Sequence, residues 1–305
     1  MNASTRPERH AMHEPGPESP RKLLVGLIGA GIQRSLTPAM QEQEAAAQGL
    51  RLHYQLIDVD RHPQGAAALP MLLEAARKMG FAGLNITYPC KQAVIPLLDE
   101  LSDEARAMGA VNTVVFEGDR AVGHNTDGSG WAWGFRRSLP QADLSRMVLL
   151  GAGGAGSAIA HAVLRLGARQ LVLVDQDASR AQQLAQALVA LYGDGAARAE
   201  PDITQAMQGA TGLVHATPTG MAKLPGLPLP SALLHAGLWV SEVVYFPMET
   251  ALLQAARGIG CAVVDGGRMA VGQAIGAFTH FTGLQADAER VEAHFRALVS
   301  RRGGD

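Results

Sequence analysis

The chain has 305 residues, 47% of them apolar and 18% charged, with a formal net charge of −2. At roughly 100–200 residues per domain that length predicts two domains. The scattered, near-balanced charge speaks against nucleic-acid partners and anionic membrane surfaces, and no apolar run approaches the ~20 residues that span a bilayer.

Met1–Arg21, rich in Glu, Pro, Arg and Ser, lacks the apolar centre of a secretory signal and is expected to be a disordered tail. Strands and helices then alternate. Lys22–Ile28 reads as a strand ending in Gly-Ala-Gly, and a helix opens at Pro38 and closes at Gly49, the Pro-first, Gly-last asymmetry of helices. Arg51–Val59 is a second strand, Ala66–Met79 a helix stopped by Gly80, and Phe81–Thr87 a third strand. Val111–Gly118 and Arg120–Asp127 form a strand pair across a turn, and a helix runs from Asp127 to Leu139. The alternation restarts with strand Met147–Gly151, helix Gly154–Leu166, strand Gln170–Asp175 and helix Ser179–Leu191. Strands Gly212–Thr217 and Leu238–Tyr245 flank a proline-rich loop, Pro218–Pro230, and helices Arg268–Thr282 and Asp287–Arg301 end the chain. Such alternation implies βαβ units and parallel sheets. The last two helices follow the second α/β set and are expected to pack back on the first domain.

The strongest physical signal is Gly151-Ala152-Gly153-Gly154-Ala155-Gly156, set between an apolar strand and an apolar helix. That is the context a dinucleotide fingerprint requires. Gly151 permits the tight turn, Gly153 lets the backbone approach a pyrophosphate, and Gly156 lets helix and strand pack closely. The pyrophosphate would sit at the positive end of the helix. Asp175 lies 24 residues after Gly151, near the ~20 expected for an acid that binds ribose hydroxyls and repels the 2′-phosphate of NADP. Asp177 adds charge nearby, so NAD is expected over NADP. Arg180 is the candidate phosphate partner; it also has the alternatives of pairing with Asp177 or stacking on adenine. Gly29-Ala30-Gly31 also follows a strand, but Arg34 stands where a third glycine belongs, and it reads as a turn.

Polar residues collect where strands of the first α/β set end: Ser35, Thr37, Asn85, Thr87, Lys91, Asn112 and Asp127. Ligands of parallel α/β domains lie outside the carboxyl ends of strands. Each residue also has a plainer explanation. The asparagines suit turns, and Asp127 suits a helix N-cap. Lys91 is harder to explain away, because a cation at a helix start opposes the helix dipole. Cys90 and Cys261 make neither a disulfide framework nor a metal pair, and the ten histidines form no cluster, so no metal is expected and a reducing cytoplasm is the default.

Eight segments resemble motifs of the shikimate dehydrogenase family, in family order from about Lys22 to Gly283: SLTP (35–38), NITYPCK (85–91), GAVNT (109–113), GHNTD (123–127), GAGGAG (151–156), ATPTGM (216–221), VVYFPMET (243–250) and MAVGQA (269–274). The resemblance implies a substrate-binding α/β domain over 22–126 and 265–305 and a doubly wound Rossmann-type nucleotide domain over 127–264. It implies a catalytic Lys91–Asp127 pair, a substrate carboxylate held by Ser35 and Thr37, and ring hydroxyls held by Asn85, Thr87, Asn112, Asp127 and Gln273. Tyr245 would approach the substrate from the nucleotide domain. Gly151, Gly153, Gly154, Ala155, Gly156, Asp175, Arg180, Thr217 and Met269 would contact the cofactor, and Met269 shares a helix face with Gln273. A homodimer is a further expectation. Hydride transfer from an alcohol needs a proton moved on or off the oxygen; a lysine, which titrates near about 10.4 in water, suits the acid role in the reductive direction.

The chain also departs from the family pattern. Thr37 stands where biosynthetic members usually carry Ser, and His215 where Asn or a small residue is common. Tyr88 and Cys90 flank Pro89 where other side chains are usual, and Asp175-Gln176-Asp177 replaces the Asn-Arg-Thr-like run of NADP-dependent members. The combination resembles the NAD-preferring quinate/shikimate branch, with shikimate and quinate as expected substrates. A strict biosynthetic shikimate dehydrogenase and a catalytically inactive NAD-binding module are the alternatives. A methylene-tetrahydrofolate dehydrogenase would need a Tyr–Lys arrangement and a pterin-stacking aromatic that these motifs do not supply.

Overall fold

Alternating apolar strands and amphipathic helices give two six-stranded sheets in the structure, a computed structural model that describes residues 20–302. The tail expected over Met1–Arg21 lies outside the described residues except for Pro20 and Arg21. Arg21 already belongs to the folded edge: its carbonyl accepts the Arg51 N–H at 3.0 Å and its guanidinium donates to the Thr282 carbonyl at 2.9 Å.

The first sheet comprises β1 (Lys22–Gly29), β2 (Arg51–Asp58), β3 (Gly83–Ile86), β4 (Glu100–Leu101), β5 (Thr113–Glu117) and β6 (Arg120–His124), in the order β2-β1-β3-β5-β6-β4. β1 pairs in parallel with β2 and β3, and β5 runs antiparallel to β3 and β6. Its helices are α1 (Thr37–Ala47), α2 (Leu69–Lys78), α3 (Cys90–Ala93) and α4 (Asp103–Met108). The helix expected from Ala66 starts as a 3₁₀ turn, Gly65–Ala68, and becomes α-helical only at Leu69. Pro70 explains the switch, since it lacks an N–H and is tolerated only in a first helical turn. β5 begins two residues later than expected, at Thr113; Asn112 just before it still bonds Ile86 and His124 through its backbone, while its side-chain Oδ1 accepts the Thr126 N–H at 2.8 Å.

α5 (Asp127–Ser138) leads into the second sheet, built from β7 (Met147–Leu150), β8 (Leu171–Val174), β9 (Ala197–Ala199), β10 (Gly212–His215), β11 (Trp239–Glu242) and β12 (Ala262–Val264). The order β12-β11-β10-β7-β8-β9 with all pairs parallel is the doubly wound arrangement, whose switch point lies between β7 and β10. α6 (Gly154–Arg165), α7 (Ala178–Tyr192), α8 (Ile203–Met207) and α9 (Ala251–Ile259) accompany it. The strand expected to reach Tyr245 stops at Glu242. That side chain accepts the N–H groups of Val243 and Val244 at 2.8 and 2.9 Å; the Val243 N–H is shared with the His215 carbonyl at 3.1 Å, and the Val244 N–H turns to the side chain. β4, β9, β12, α4, α8 and α9 are additional to the expected elements; all but α9 are six residues or shorter, too short for a periodicity to register.

α10 (Gly266–Thr282) and α11 (Ala288–Arg302) return to the first sheet, as expected. Ala277 and Phe281 of α10 join a core with Val25, Leu27 and Tyr54, while Val291 and Phe295 of α11 pack with Leu36 and Met40. Close contact between α5 and α10 rests on glycine: a Cβ at Gly130 would lie 2.6 Å from the Gln273 nitrogen, and one at Gly272 would lie 2.3 Å from the Gly130 oxygen. Among the described residues no helix is long and apolar enough to cross a membrane.

Candidate active site

Both sheets present the carboxyl ends of their parallel strands to one cavity of about 520 Å³. Ser35, Thr37, Asn85, Thr87, Lys91, Asn112 and Asp127 line it from the first sheet's side, together with Gln273 of α10, and Thr217 and Tyr245 from the other. The residues that the motifs single out for substrate thus converge, although they span the chain from 35 to 273.

The first sheet reverses strand order between β1 and β3, and the loops after these two strands carry the hydroxyls and the lysine. The loop after β1 is a turn, as its glycine pattern suggests: Gly31 has a left-handed backbone and the next three residues form a 3₁₀ turn. Asp58 holds it, accepting from the Gly31 and Asp60 N–H groups and from the Gln33 amide at 3.0–3.1 Å. Burial alone would raise the Asp58 carboxyl, but these donors hold it below its ordinary value. Ser35 and Thr37 follow, with the Thr37 N–H donating to Ser35 Oγ at 3.3 Å.

Lys91 and Asp127 meet at 2.6 Å between Nζ and Oδ2. Asp127 is 1% exposed, and its other oxygen accepts Asn112 Nδ2 at 2.9 Å and Gln273 Nε2 at 2.7 Å. Three side-chain donors from α3, the β5 approach and α10 therefore converge on one carboxylate at the start of α5. It is not the helix N-cap that its position allows: Thr126 occupies that place and makes no side-chain cap bond. The asparagines are not turn residues either. Asn112 spends its amide on Thr126 and Asp127, so here it orients the carboxylate. Asn85 is fixed by the buried Tyr54, whose hydroxyl donates to Asn85 Oδ1 at 2.7 Å, and it donates in turn to Thr113 Oγ1 at 3.1 Å. Burial pushes the Tyr54 phenol well above its ordinary value, which keeps it a donor. Tyr245 lies against Phe246 with ring centroids 4.8 Å apart; burial raises its phenol, and the Arg302 charge opposes that rise.

The glycine loop has the form a dinucleotide needs. Gly151 takes φ +101°, and a Cβ there would meet the Ala216 carbonyl at 2.6 Å. A Cβ on Gly156 would come within 1.9 Å of the Gly151 oxygen, so the loop and α6 are in direct backbone contact. Gly153 faces open space, and as N-cap it offers no side chain to the first N–H groups of α6. Those uncapped donors and the adjacent open space suit a diphosphate. An ideal Cβ on Gly154 would lie 4.0 Å from Lys91 Cδ, which sets the loop beside the lysine.

Asp175 follows β8, where its carboxylate takes the Ala152 N–H at 2.7 Å and the Asp177 N–H at 2.9 Å. Two acceptor positions remain beyond these bonds. Asp177 caps α7 through the Ser179 and Arg180 N–H groups. Arg180 follows one of its alternatives, approaching Asp177 at 3.8 Å with its side chain 56% exposed. Met269 does not join Gln273 at the cavity. It is 5% exposed and packs with Trp131 and Phe135 in the core of the second sheet. A shared helix face gives direction only; four residues also separate the two by about 6 Å along the axis.

Three features were not legible beforehand. Tyr54 sits on a strand whose alternation gives no sign of a polar role. Thr126 lines the cavity and bonds Asn112. A buried pair, His215 and Glu242, lies behind Thr217; the unusual His215 was the sole sign of it. Among the described residues no group of three or more His, Cys, Asp or Glu is placed to hold a metal ion.

Residues 27–114 match the family model described as the shikimate dehydrogenase substrate binding domain. A shikimate dehydrogenase (NADP(+)) from Streptomyces avermitilis is 58% identical over 90% of this chain and 96% of its own length. A quinate/shikimate dehydrogenase (NAD(+)) from Corynebacterium efficiens is 47% identical over 90% of this chain and 98% of its own. Among solved structures, quinate dehydrogenase from Corynebacterium glutamicum in complex with NAD superposes with a TM-score of 0.86 at 45% identity, covering 91% of this chain and 99% of that one.

Proposed function

The chain belongs to the shikimate dehydrogenase family and is an oxidoreductase, and we propose that it interconverts shikimate with 3-dehydroshikimate and quinate with 3-dehydroquinate, using NAD in preference to NADP. The observation that carries the chemistry is the Lys91–Asp127 ion pair in the cavity wall. The Ser35 and Thr37 hydroxyls line the same cavity, and the glycine loop abuts the lysine.

When bound, the nicotinamide accepts or donates the hydride. The protein's part is to bind, orient and move the proton. Ser35 and Thr37 take the substrate carboxylate, while Thr87 and the tethered Asn85 take ring hydroxyls. In reduction the Lys91 ammonium gives a proton from Nζ to the carbonyl oxygen; in oxidation Nζ, having first released a proton to solvent, takes the alcohol proton as the neutral amine. Asp127, held by Asn112 and Gln273, fixes Nζ and balances its charge. The uncapped start of α6 would hold the pyrophosphate, and Asp175 the ribose hydroxyls.

Relatives are named for both cofactors, so the NAD preference rests on this chain's own charges. Asp175 and Asp177 put two carboxylates at the end of β8, where a 2′-phosphate would be repelled. A strict NADP-linked shikimate dehydrogenase is the second reading, favoured by the name of the 58% identical relative and by the exposed Arg180 guanidinium. Initial rates with shikimate and with quinate, each with NAD and with NADP, decide between them. Faster turnover with NAD on both acids is expected; equal kcat/KM for the two cofactors refutes the preference, and activity on shikimate alone refutes the quinate half.

A further inference from the structure

Behind the cavity wall a line of side chains crosses from β11 to the loop after β10. Glu242 and His215 are both fully buried. Glu242 Oε1 accepts the Val243 and Val244 N–H groups, and Oε2 accepts the Thr250 hydroxyl at 3.0 Å. Thr250 Oγ1 in turn accepts the Leu253 N–H, which leaves its proton free for Glu242. Both carboxylate oxygens therefore already receive donors. His215 Nδ1 lies 2.9 and 3.0 Å from them, so it carries a proton and donates. In the neutral imidazole the other nitrogen, Nε2, is then an acceptor. Its partner at 2.6 Å is Thr217 Oγ1, a residue of the cavity wall.

With the imidazole neutral, this chain of bonds sets the direction of one hydroxyl. The Thr217 proton points back into the protein, and Oγ1 also accepts the Thr219 N–H at 3.3 Å. What the oxygen has left for the cavity is lone-pair density. A hydroxyl, an imidazole and a carboxylate in this order also serve nucleophilic catalysis; here the Thr219 N–H draws on Oγ1 and suits it to binding instead. Resting on the reading that the cavity takes a nicotinamide, we propose that His215 is a positioning residue, which with Glu242 turns Thr217 into an acceptor for the N–H of the nicotinamide carboxamide. Thr217 stands beside the switch point, where its Cγ2 would lie 3.0 Å from a Cβ on Gly151, and it shares the cavity with Lys91. That is the reactive end of a dinucleotide, where the carboxamide is the available N–H donor. The bond would orient the ring, so that the carbon that exchanges hydride faces the substrate.

Binding constants measured by quenching of protein fluorescence test this without turnover. The ligands are NAD and its 3-acetylpyridine analogue, in which a methyl group replaces the amide NH₂. One neutral hydrogen bond is worth about twofold to tenfold in affinity, so the unaltered protein should bind NAD that much more tightly than the analogue. His215→Phe, which keeps ring volume and loses both nitrogens, and Thr217→Val should bind the two ligands equally. Thr217→Ser should keep the preference. If His215→Phe fails to fold, Thr217→Val against Thr217→Ser carries the test alone. A preference that persists in a folded His215→Phe or in Thr217→Val overturns the proposal, as does equal binding by the unaltered protein. Failure of either dinucleotide to bind at all overturns the reading on which it rests.

Discussion

Replacing Gly130 by Ala should damage catalysis although Gly130 itself carries no side chain that could meet substrate. Gly130 lies in the first turn of α5, three residues after Asp127, where the helix crosses α10. An added Cβ would approach the Gln273 nitrogen to 2.6 Å, short of an ordinary 3.4 Å contact by about 0.8 Å. The obstacle is backbone, which cannot rotate aside as a side chain can, so the helices must part. Gln273 donates to Asp127 Oδ1 at 2.7 Å across this same crossing. Parting by about 0.8 Å would stretch that bond to roughly 3.5 Å, the limit of a useful hydrogen bond. A bond to a charged group is worth about 1.5–3 kcal/mol, so kcat/KM should fall roughly tenfold to hundredfold. Stability should fall less. Overpacking costs about 1–3 kcal/mol, and the better helix propensity of Ala returns about 1 kcal/mol. Initial rates of shikimate-dependent cofactor reduction measure the effect, with Gln273→Ala and the double variant completing a cycle. If both act through one bond, their losses should not add. A Gly130→Ala enzyme within about twofold of the unaltered kcat/KM, or fully additive losses in the cycle, would refute the reasoning.

Lys91→Ala should lose about 10²–10⁴-fold in kcat while still binding NAD, because the glycine loop is built by the second sheet; near-normal kcat would send the search to another proton donor. Asp175→Ala should narrow the preference for NAD by losing ribose bonds and relieving repulsion of the 2′-phosphate, read as the ratio of kcat/KM for the two cofactors; an unchanged ratio counts against the charge argument. Glu44 ties α1 to α11 through Arg290 at 2.7 Å. Burial alone would raise its carboxyl, but Arg290, the Asp287 N–H and Gln48 hold it below its ordinary 4.5. A depressed folded value gives stability that is present above the unfolded value and lost as pH falls through the folded one. Glu44→Gln should therefore cost about 1–3 kcal/mol near pH 7, in urea titrations, and the deficit should close below about pH 4; a deficit that persists at low pH contradicts it.

Local signals in this chain concern what neighbouring residues impose on one another. Alternating apolar strands and helices implied parallel sheets, because each element must bury a face against another. The Gly151–Gly156 loop was legible for the same reason: strand, turn and helix follow one another directly, and the absence of side chains at those glycines is itself the signal. Lys91 stood out because a cation at the start of a helix opposes the helix dipole, and its pairing with Asp127 was implied only by the family resemblance. What that partner would be bonded to could not be read. Gln273 reaches Asp127 only because α10 crosses α5 at Gly130 and Gly272, and contacts across that span leave no periodicity. Met269 shows the same limit from the other side: spacing puts it on the helix face of Gln273, while its burial beside Trp131 and Phe135 follows from how the second sheet packs. Tyr54, the His215–Glu242 pair and the direction of the Thr217 proton belong wholly to the tertiary structure. A hydrogen bond between strands depends on register and on burial, and both are settled only when the sheets have assembled.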